Sequence, residues 1–232
     1  MKKFELTSGF ITNVFGVKLF RIRALVEFGN VSKGELGGYV EKEENLDHSG
    51  DAWVSGNARV SGDARVSGDA RVSGDALVSG DALVSGDARV SGDARVSGDA
   101  RVYGDAEVYG NARVSGDAWV YGNARVYGNA LVSGDARVSG NAEVSGDARV
   151  SGNAEVSGNA DYAMVKGFGC YNRNTTFFRC KDGKVRVACG CFFGDMEEFR
   201  AIVKRTHGDG KLAKEYLAIA DLMEMHFAEE QG

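Results

Sequence analysis

One six-residue phrase, G-[DN]-A-x-V-[SY], begins at Gly50 and repeats without slippage to Ser157, through 108 residues and eighteen copies. No other feature constrains the fold as tightly. A period of six fits neither the 3.6 residues of an α-helix nor a bare two-residue alternation. Around each valine, however, the pattern is strand-like: Arg101 outward, Val102 inward, Tyr103 outward. The Gly-Asp or Gly-Asn that follows is turn chemistry, because glycine tolerates positive φ and Asp or Asn satisfies local backbone amides. Each hexad is therefore a short strand and a corner. Equal sides meeting at equal corners close as a triangle, three hexads to a coil. Six coils stacked at about 4.8 Å make a rod on the order of 29 Å long, its narrow interior filled by valines and alanines.

The outward side chains agree with a coil of three hexads. Tyr103 and Tyr121 fall one coil apart, as do Tyr109 and Tyr127, so each pair is expected to stack. One outward column reads Arg71, Arg89, Glu107, Arg125, Glu143, with every Glu beside an Arg. The unbroken run of Val and Ala sites resembles the left-handed hexapeptide β-helix. The preceding segment RIRALVEFGNVSKGELGGYVEKEENL (Arg21 to Leu46) is similar to that of the YdcK-like proteins, common in phages and prophages. Left-handedness and a phage setting are what this resemblance implies; neither comes from the period.

The chain is thus expected to be mostly β. An N-terminal β cap and lead-in segment takes residues 1–49, a single-stranded β-helix 50–160, and a C-terminal ββαα tail 161–232. Open ends of a β-helix carry unpaired strand edges and need covers. FELT and VFGVKLFRIRAL, with Gly16 at a turn, read as cap strands. In the tail, TTFFRC-KDGK-VRVACGCF reads as a hairpin turning at Asp182-Gly183, which sets Phe178, Cys180, Val185, Val187, Cys189 and Cys191 on one face. Asp195 and Glu198 form a capping box for a first helix with Met196, Phe199, Ile202 and Val203 as its apolar stripe. A second helix from about Lys211 to Ala228 buries Leu212, Tyr216, Ile219, Met223 and Phe227, and Leu217, Leu222 and Met225 widen that stripe.

Composition removes several function classes. A net charge of −5 argues against a general nucleic-acid binder, and the ten hexad arginines are outnumbered by twelve Asp and three Glu. No apolar run is long enough to span a bilayer, and the N-terminus has no signal-peptide core. Reduced thiols in a cytoplasmic protein are expected, in the host cytoplasm if the chain is phage-encoded. Acyl transfer, frequent among hexapeptide-repeat proteins, needs a base, and His48, His207 and His226 all lie outside the hexads. Acyltransferase is therefore the second reading, not the first. Cys170, Cys180, Cys189 and Cys191 are spaced C-x9-C-x8-C-x-C, without C-x2-C knuckles, and are read as packing residues in preference to zinc ligands. A Cys189 or Cys191 nucleophile served by His207 and Asp209 has only composition behind it. The corner row Asp63, Asp81, Asp99, Asp117, Asp135 is read as capping chemistry over calcium bridging. No cofactor is expected.

Aromatic placement carries the functional expectation. Residues 101, 103, 119 and 121 share one side of the triangle, so Trp119, Tyr121 and Tyr103 form an outward patch extended by Leu83 and flanked by Arg101 and Arg137. Exposed Trp, Tyr and Arg together make an interface hot spot; the plain alternative is a ladder that stiffens the rod. The leading reading is a non-enzymatic scaffold or binding protein. It forms a homo-oligomer of two or three chains, through the tail helix near Leu217, Leu222 and Met225, and captures a protein partner such as a host factor.

Overall fold

The computed structural model describes residues 2–169 and 173–228. The hexads form eighteen two-residue strands, β4 (Trp53–Val54) to β21 (Glu155–Val156). Every third strand pairs in parallel: Val60 with Val78, Val78 with Val96, Val102 with Val120, Val108 with Val126. The coil repeat is 18 residues, and three faces result. All hexad valines and alanines are fully buried, so the interior is one continuous apolar column. The corner glycines make the triangle possible. Gly98 holds φ +70°, and a Cβ there would sit 3.1 Å from the Gly116 nitrogen of the next coil.

The lead-in segment supplies one turn more than the hexads themselves contain. Strand β3 (Leu36–Val40) pairs in parallel with the first face through Val40 and Val60, and Leu46 bridges to Val66 on the second. The rod therefore has about seven turns. Strands β1 (Phe4–Thr12) and β2 (Lys18–Ala24) continue the first face as an antiparallel hairpin, giving a nine-stranded sheet. Asn13 builds its tip: its side chain accepts from Phe15 N–H at 2.9 Å and Val17 N–H at 3.0 Å.

Both ends are closed, with opposite chemistry. Along the rod, outward-residue amides donate toward the C-terminal end, as Arg59 N–H does to the Ala76 carbonyl. Carbonyls are thus left over at the first coil and amides at the last. Buried Asn45 donates to the Gly62 carbonyl at 3.0 Å and the Ala64 carbonyl at 2.8 Å. The Lys3 ammonium, its pKa pushed down by burial, donates to the carbonyls of Gly50 and Ala52. At the far end, acceptors take over. Thr176 Oγ1 receives Arg149 N–H, Asn159 Oδ1 receives Glu143 N–H, and Asp161 receives Ser157 and Gly158 N–H.

The tail is larger in sheet than ββαα: four antiparallel strands, β22 (Tyr162–Phe168), β23 (Arg173–Arg179), β24 (Val185–Cys189) and β25 (Phe192–Asp195), precede α1 (Met196–His207) and α2 (Lys211–Phe227). The expected hairpin face is corrected by one residue of register. Phe177 pairs with Val187 and Arg179 with Val185, because three residues, Lys181 to Gly183, form the loop. Gly183, at φ +74°, closes it. One step of register exchanges the faces. Phe178, Cys180 and Ala188 join the rod's core, whereas Phe177, Val187 and part of Cys189 pack under the helices, and Cys191 is exposed. The sheet is thus a two-faced lid between rod and helices. The Asp195–Glu198 capping box and the buried faces of both helices stand as expected.

Candidate interaction site

The three faces differ only in what the hexads leave outside. On the third face, charges neutralise one another in line: Arg89, Glu107, Arg125 and Glu143 form a ladder with separations of 3.6–3.8 Å. Its tyrosines, Tyr109 and Tyr127, stack with centroids 4.9 Å apart and rings parallel.

The second face carries the expected aromatic patch. Tyr103 and Tyr121 stack at 5.0 Å, and Trp119 meets Tyr103 edge-on at 6.2 Å. The flanking arginines do more than flank. Arg101 lies over one face of Trp119 at 5.0 Å from the ring centroid and Arg137 lies over the ring at 4.9 Å, one coil to either side. The indole is held between guanidinium planes, so its edge and the N–H forks face outward rather than a free ring face. Burial pushes the Tyr103 phenol pKa up. Leu83 adjoins Arg101 in the same column and is half-buried.

Beside this column runs the corner row, which sequence reasoning had set aside as capping. Asp99, Asp117 and Asp135, with Arg101, Trp119, Arg137, Asn153 and Lys181, line one shallow groove of about 430 Å³. Among the described residues, no ion pair or side-chain hydrogen bond engages Arg65, Arg101, Arg137, Asp81, Asp99, Asp117 or Asp135. Opposite charges thus stand in adjacent columns without ion-pairing, and Arg101 and Arg137 lie on the indole instead.

The tail residues separate. Leu217 packs against the tail core, while Leu222 and Met225 are 53% and 69% exposed, on a helix and not on the rod. An apolar feature that sequence reasoning missed is the β1–β2 tip, where Val14 and Phe15 are 93% and 87% exposed. An apolar pair between Asn13 and Gly16 was its only signal.

Other candidates are not assembled. Cys180 points into the rod's core and Cys189 toward the helices, with its sulfur 3.2 Å from Thr175 Oγ1. Cys170 lies outside the described residues. Among the described residues, no group of three His, Cys, Asp or Glu side chains is placed to share a metal ion. His48 stacks on Phe4 and accepts Lys3 N–H, and His207 stacks on Tyr216. No helix among the described residues is long and apolar enough to cross a membrane.

The rod and its unbroken coil register define a β-solenoid. Ten overlapping segments that together span residues 52–152 match the YdcK Beta solenoid repeat, so the rod is similar to that repeat family. No curated protein matches the chain.

Proposed function

We propose that this chain is a non-enzymatic scaffold or binding protein, encoded by a phage or prophage, that self-associates and captures a protein partner in the host cytoplasm. The observation that carries the reading is the second face. A rod needed only for stiffness has no use for a Trp clamped outward between two arginines where most equivalent sites hold a single charged residue. The clamp pre-pays the ordering of three long side chains, which lowers the entropic cost of docking. Leu222 and Met225 supply a second apolar surface on α2. The acyltransferase alternative has one histidine beside the second face, His48, in a separate groove with Glu43, Asp47, Arg65 and Leu83, but that ring stacks on Phe4 and accepts the Lys3 N–H, and no histidine lines the groove around Trp119.

Light scattering of the intact chain tests self-association, and a monomeric mass at micromolar concentration would refute it. Replacing Trp119 and Tyr121 with Ser, the ordinary residue of hexad surfaces, leaves the interior untouched, so the fold should survive. Assembly or partner capture should weaken by at least tenfold, a loss of about 1.4 kcal/mol or more. If both are unchanged, the aromatics are a stiffening ladder.

A further inference from the structure

We propose that the open edge of β1 is a self-pairing strand. The β1 of a second copy adds to it antiparallel, about a two-fold axis through Ile11, and joins two nine-stranded sheets into one. The proposal rests on the self-association in the reading above, supplies its surface and register, and leaves the second face to the protein partner.

Strand β1 ends the nine-stranded sheet, and among the described residues no strand lies beyond it. Hydrogen bonds at its two ends show which backbone groups are spare. Leu25 N–H donates to the Lys3 carbonyl, and Asn13 N–H donates to the Val17 carbonyl. Glu5 and Ile11 therefore face β2, while Leu6, Phe10 and Thr12 turn their N–H and C=O groups to the open edge. Exposed edges are ordinarily guarded by charge. The chain is 26% charged, yet residues 6–17, LTSGFITNVFGV, hold no charged side chain. Phe10 is 48% exposed on this strand, and Val14 and Phe15 stand almost bare at its tip. The edge keeps one guard, a bulge in which Thr7, Ser8 and Gly9 oppose Arg21 alone and Gly9 N–H donates to Thr7 Oγ1. That break confines new pairing to the stretch from Phe10 outward.

A two-fold through Ile11, perpendicular to the sheet, uses this stretch fully. Phe10 and the second copy's Thr12 exchange two backbone hydrogen bonds, and Thr12 and the second copy's Phe10 exchange two more. Between them the two Ile11 side chains meet in the close, non-hydrogen-bonded pair. Rows of side chains then cross four strands. One reads Leu19, Ile11, Ile11, Leu19, an unbroken apolar line on one face. On the other face each row reads Phe20, Phe10, Thr12, Lys18, so Phe10 is flanked by Phe20 of its own copy and Thr12 of the other. Counting outward along the same register, Val14 and Phe15 come beside the second copy's Ser8 and Thr7, which gives the bare tip a neighbour at the bulge.

The bodies of the two copies do not collide. The coils stack in the plane of the sheet and across its strands, so the two-fold sends the rods to opposite sides of the new strand pair. The two fully buried Phe4 side chains, which cover the rod cores, are also about twelve strand residues apart, roughly 40 Å. Pairing stops at two chains. The far end of the sheet is β20 (Arg149–Val150), and its Arg149 N–H is already taken by Thr176 of the lid. The contact takes about nine residues of each copy, fewer than the roughly 20–30 of a standard interface, so the dimer is expected to be reversible at micromolar concentration.

Ile11 tests the register because it faces itself. Ile11→Lys sets two ammonium groups against each other in its own homodimer, Ile11→Glu sets two carboxylates, and the mixture pairs one with the other. Thr12→Pro tests the edge: it deletes an N–H that β2 does not use, so the hairpin keeps its own hydrogen bonds. The melting temperature of each variant checks that folding is intact. By native mass spectrometry and sedimentation of the full chain, the wild type is expected to be a dimer. Each of the three variants alone should associate at least tenfold more weakly, and Ile11→Lys mixed with Ile11→Glu should form a one-to-one heterodimer. If all three variants dimerise like wild type, self-association belongs to another surface and the proposal fails. A monomeric Thr12→Pro variant with no heterodimer from the charged pair overturns the two-fold at Ile11. A monomeric wild type removes the self-association reading itself and leaves the edge to a strand of another protein.

Discussion

A residue's chemistry in this molecule is set by which side of a very thin wall it occupies. Cys180 and Cys191 show it within one lid. Burial against the rod core pushes the Cys180 thiol up to about 11, so at neutral pH it has almost no thiolate with which to react. Cys191 is exposed at the turn between β24 and β25. Brief treatment of the folded protein with iodoacetamide at pH 7.5 is expected to modify Cys191 and leave Cys180 intact, as peptide mapping would show. Labelling of Cys180 at a comparable rate would mean that the lid opens readily. At this scale the sequence told much about the rod, where period alone assigned inside and outside to every hexad residue. It told less about contacts between coils. Arg101 and Arg137 were legible as neighbours of Trp119, but a column gives adjacency without rotamer, and the guanidinium clamp depends on both arginines folding over the ring. The Asp99–Asp117–Asp135 row was legible as geometry but not in its contacts. Its neutralisation by nearby arginines looked assured from proximity, yet those arginines are committed to the indole.

Elements succeed or fail here at their junctions. Asn45 replaces a strand that does not exist, offering two amide hydrogens to carbonyls that every later coil pairs with backbone. Asn45→Leu keeps the bulk and strands both carbonyls in a fully buried site, which should cost about 2–5 kcal/mol in chemical denaturation. A change below about 0.5 kcal/mol would show that water or backbone movement satisfies them. The opposite junction depends on pH. Asp147 accepts from Asn129 at 2.9 Å and pairs with Lys166 of β22 at 3.2 Å, and hydrogen bonds from Asn129, Asn174 and Lys166 hold its pKa at about 2 against an ordinary 3.8. Its folded pKa is depressed, so the stabilisation is complete above about pH 4 and disappears as pH falls through about 2. Hydrogen exchange in β22 should rise over that interval before the rod itself opens, and Asp147→Asn should remove the transition. Equal exchange profiles for the two proteins would assign the acid response elsewhere. The tail also shows where sequence reasoning stops. Asp182-Gly183 marks a turn, but a two-residue and a three-residue loop are both compatible with KDGK, and they differ by one register step. That step decides which residues meet the rod and which meet the helices. Strand β22 was missed because the hexad phrase decays gradually near Asn159, leaving no boundary signal ahead of it.

The whole molecule is a polar object in the hydrogen-bonding sense: one end presents carbonyls and the other amides, and its two caps carry donors and acceptors to match. Lys3, Asn45 and the backbone N–H groups of Tyr39, Glu41 and Asp47 serve the first end; Thr176, Asn159 and Asp161 serve the last. Such a rod without caps is complementary to itself head to tail, since its final amides match its first carbonyls at the coil spacing. Capping therefore decides between a discrete particle and a fibre. A chain trimmed after Ser157 exposes only amides, and the carbonyl ends it would need remain covered by Asn45 and Lys3. A chain trimmed to residues 50–157 exposes both. The doubly trimmed rod should form long straight fibrils with a repeat of about 4.8 Å along the fibre axis, visible by electron microscopy and fibre diffraction. The singly trimmed chain should give none, although its exposed valines would favour amorphous clusters. Ordered fibrils from the singly trimmed chain would mean that apolar ends alone drive stacking, and that the donor and acceptor sorting of the caps does not control it.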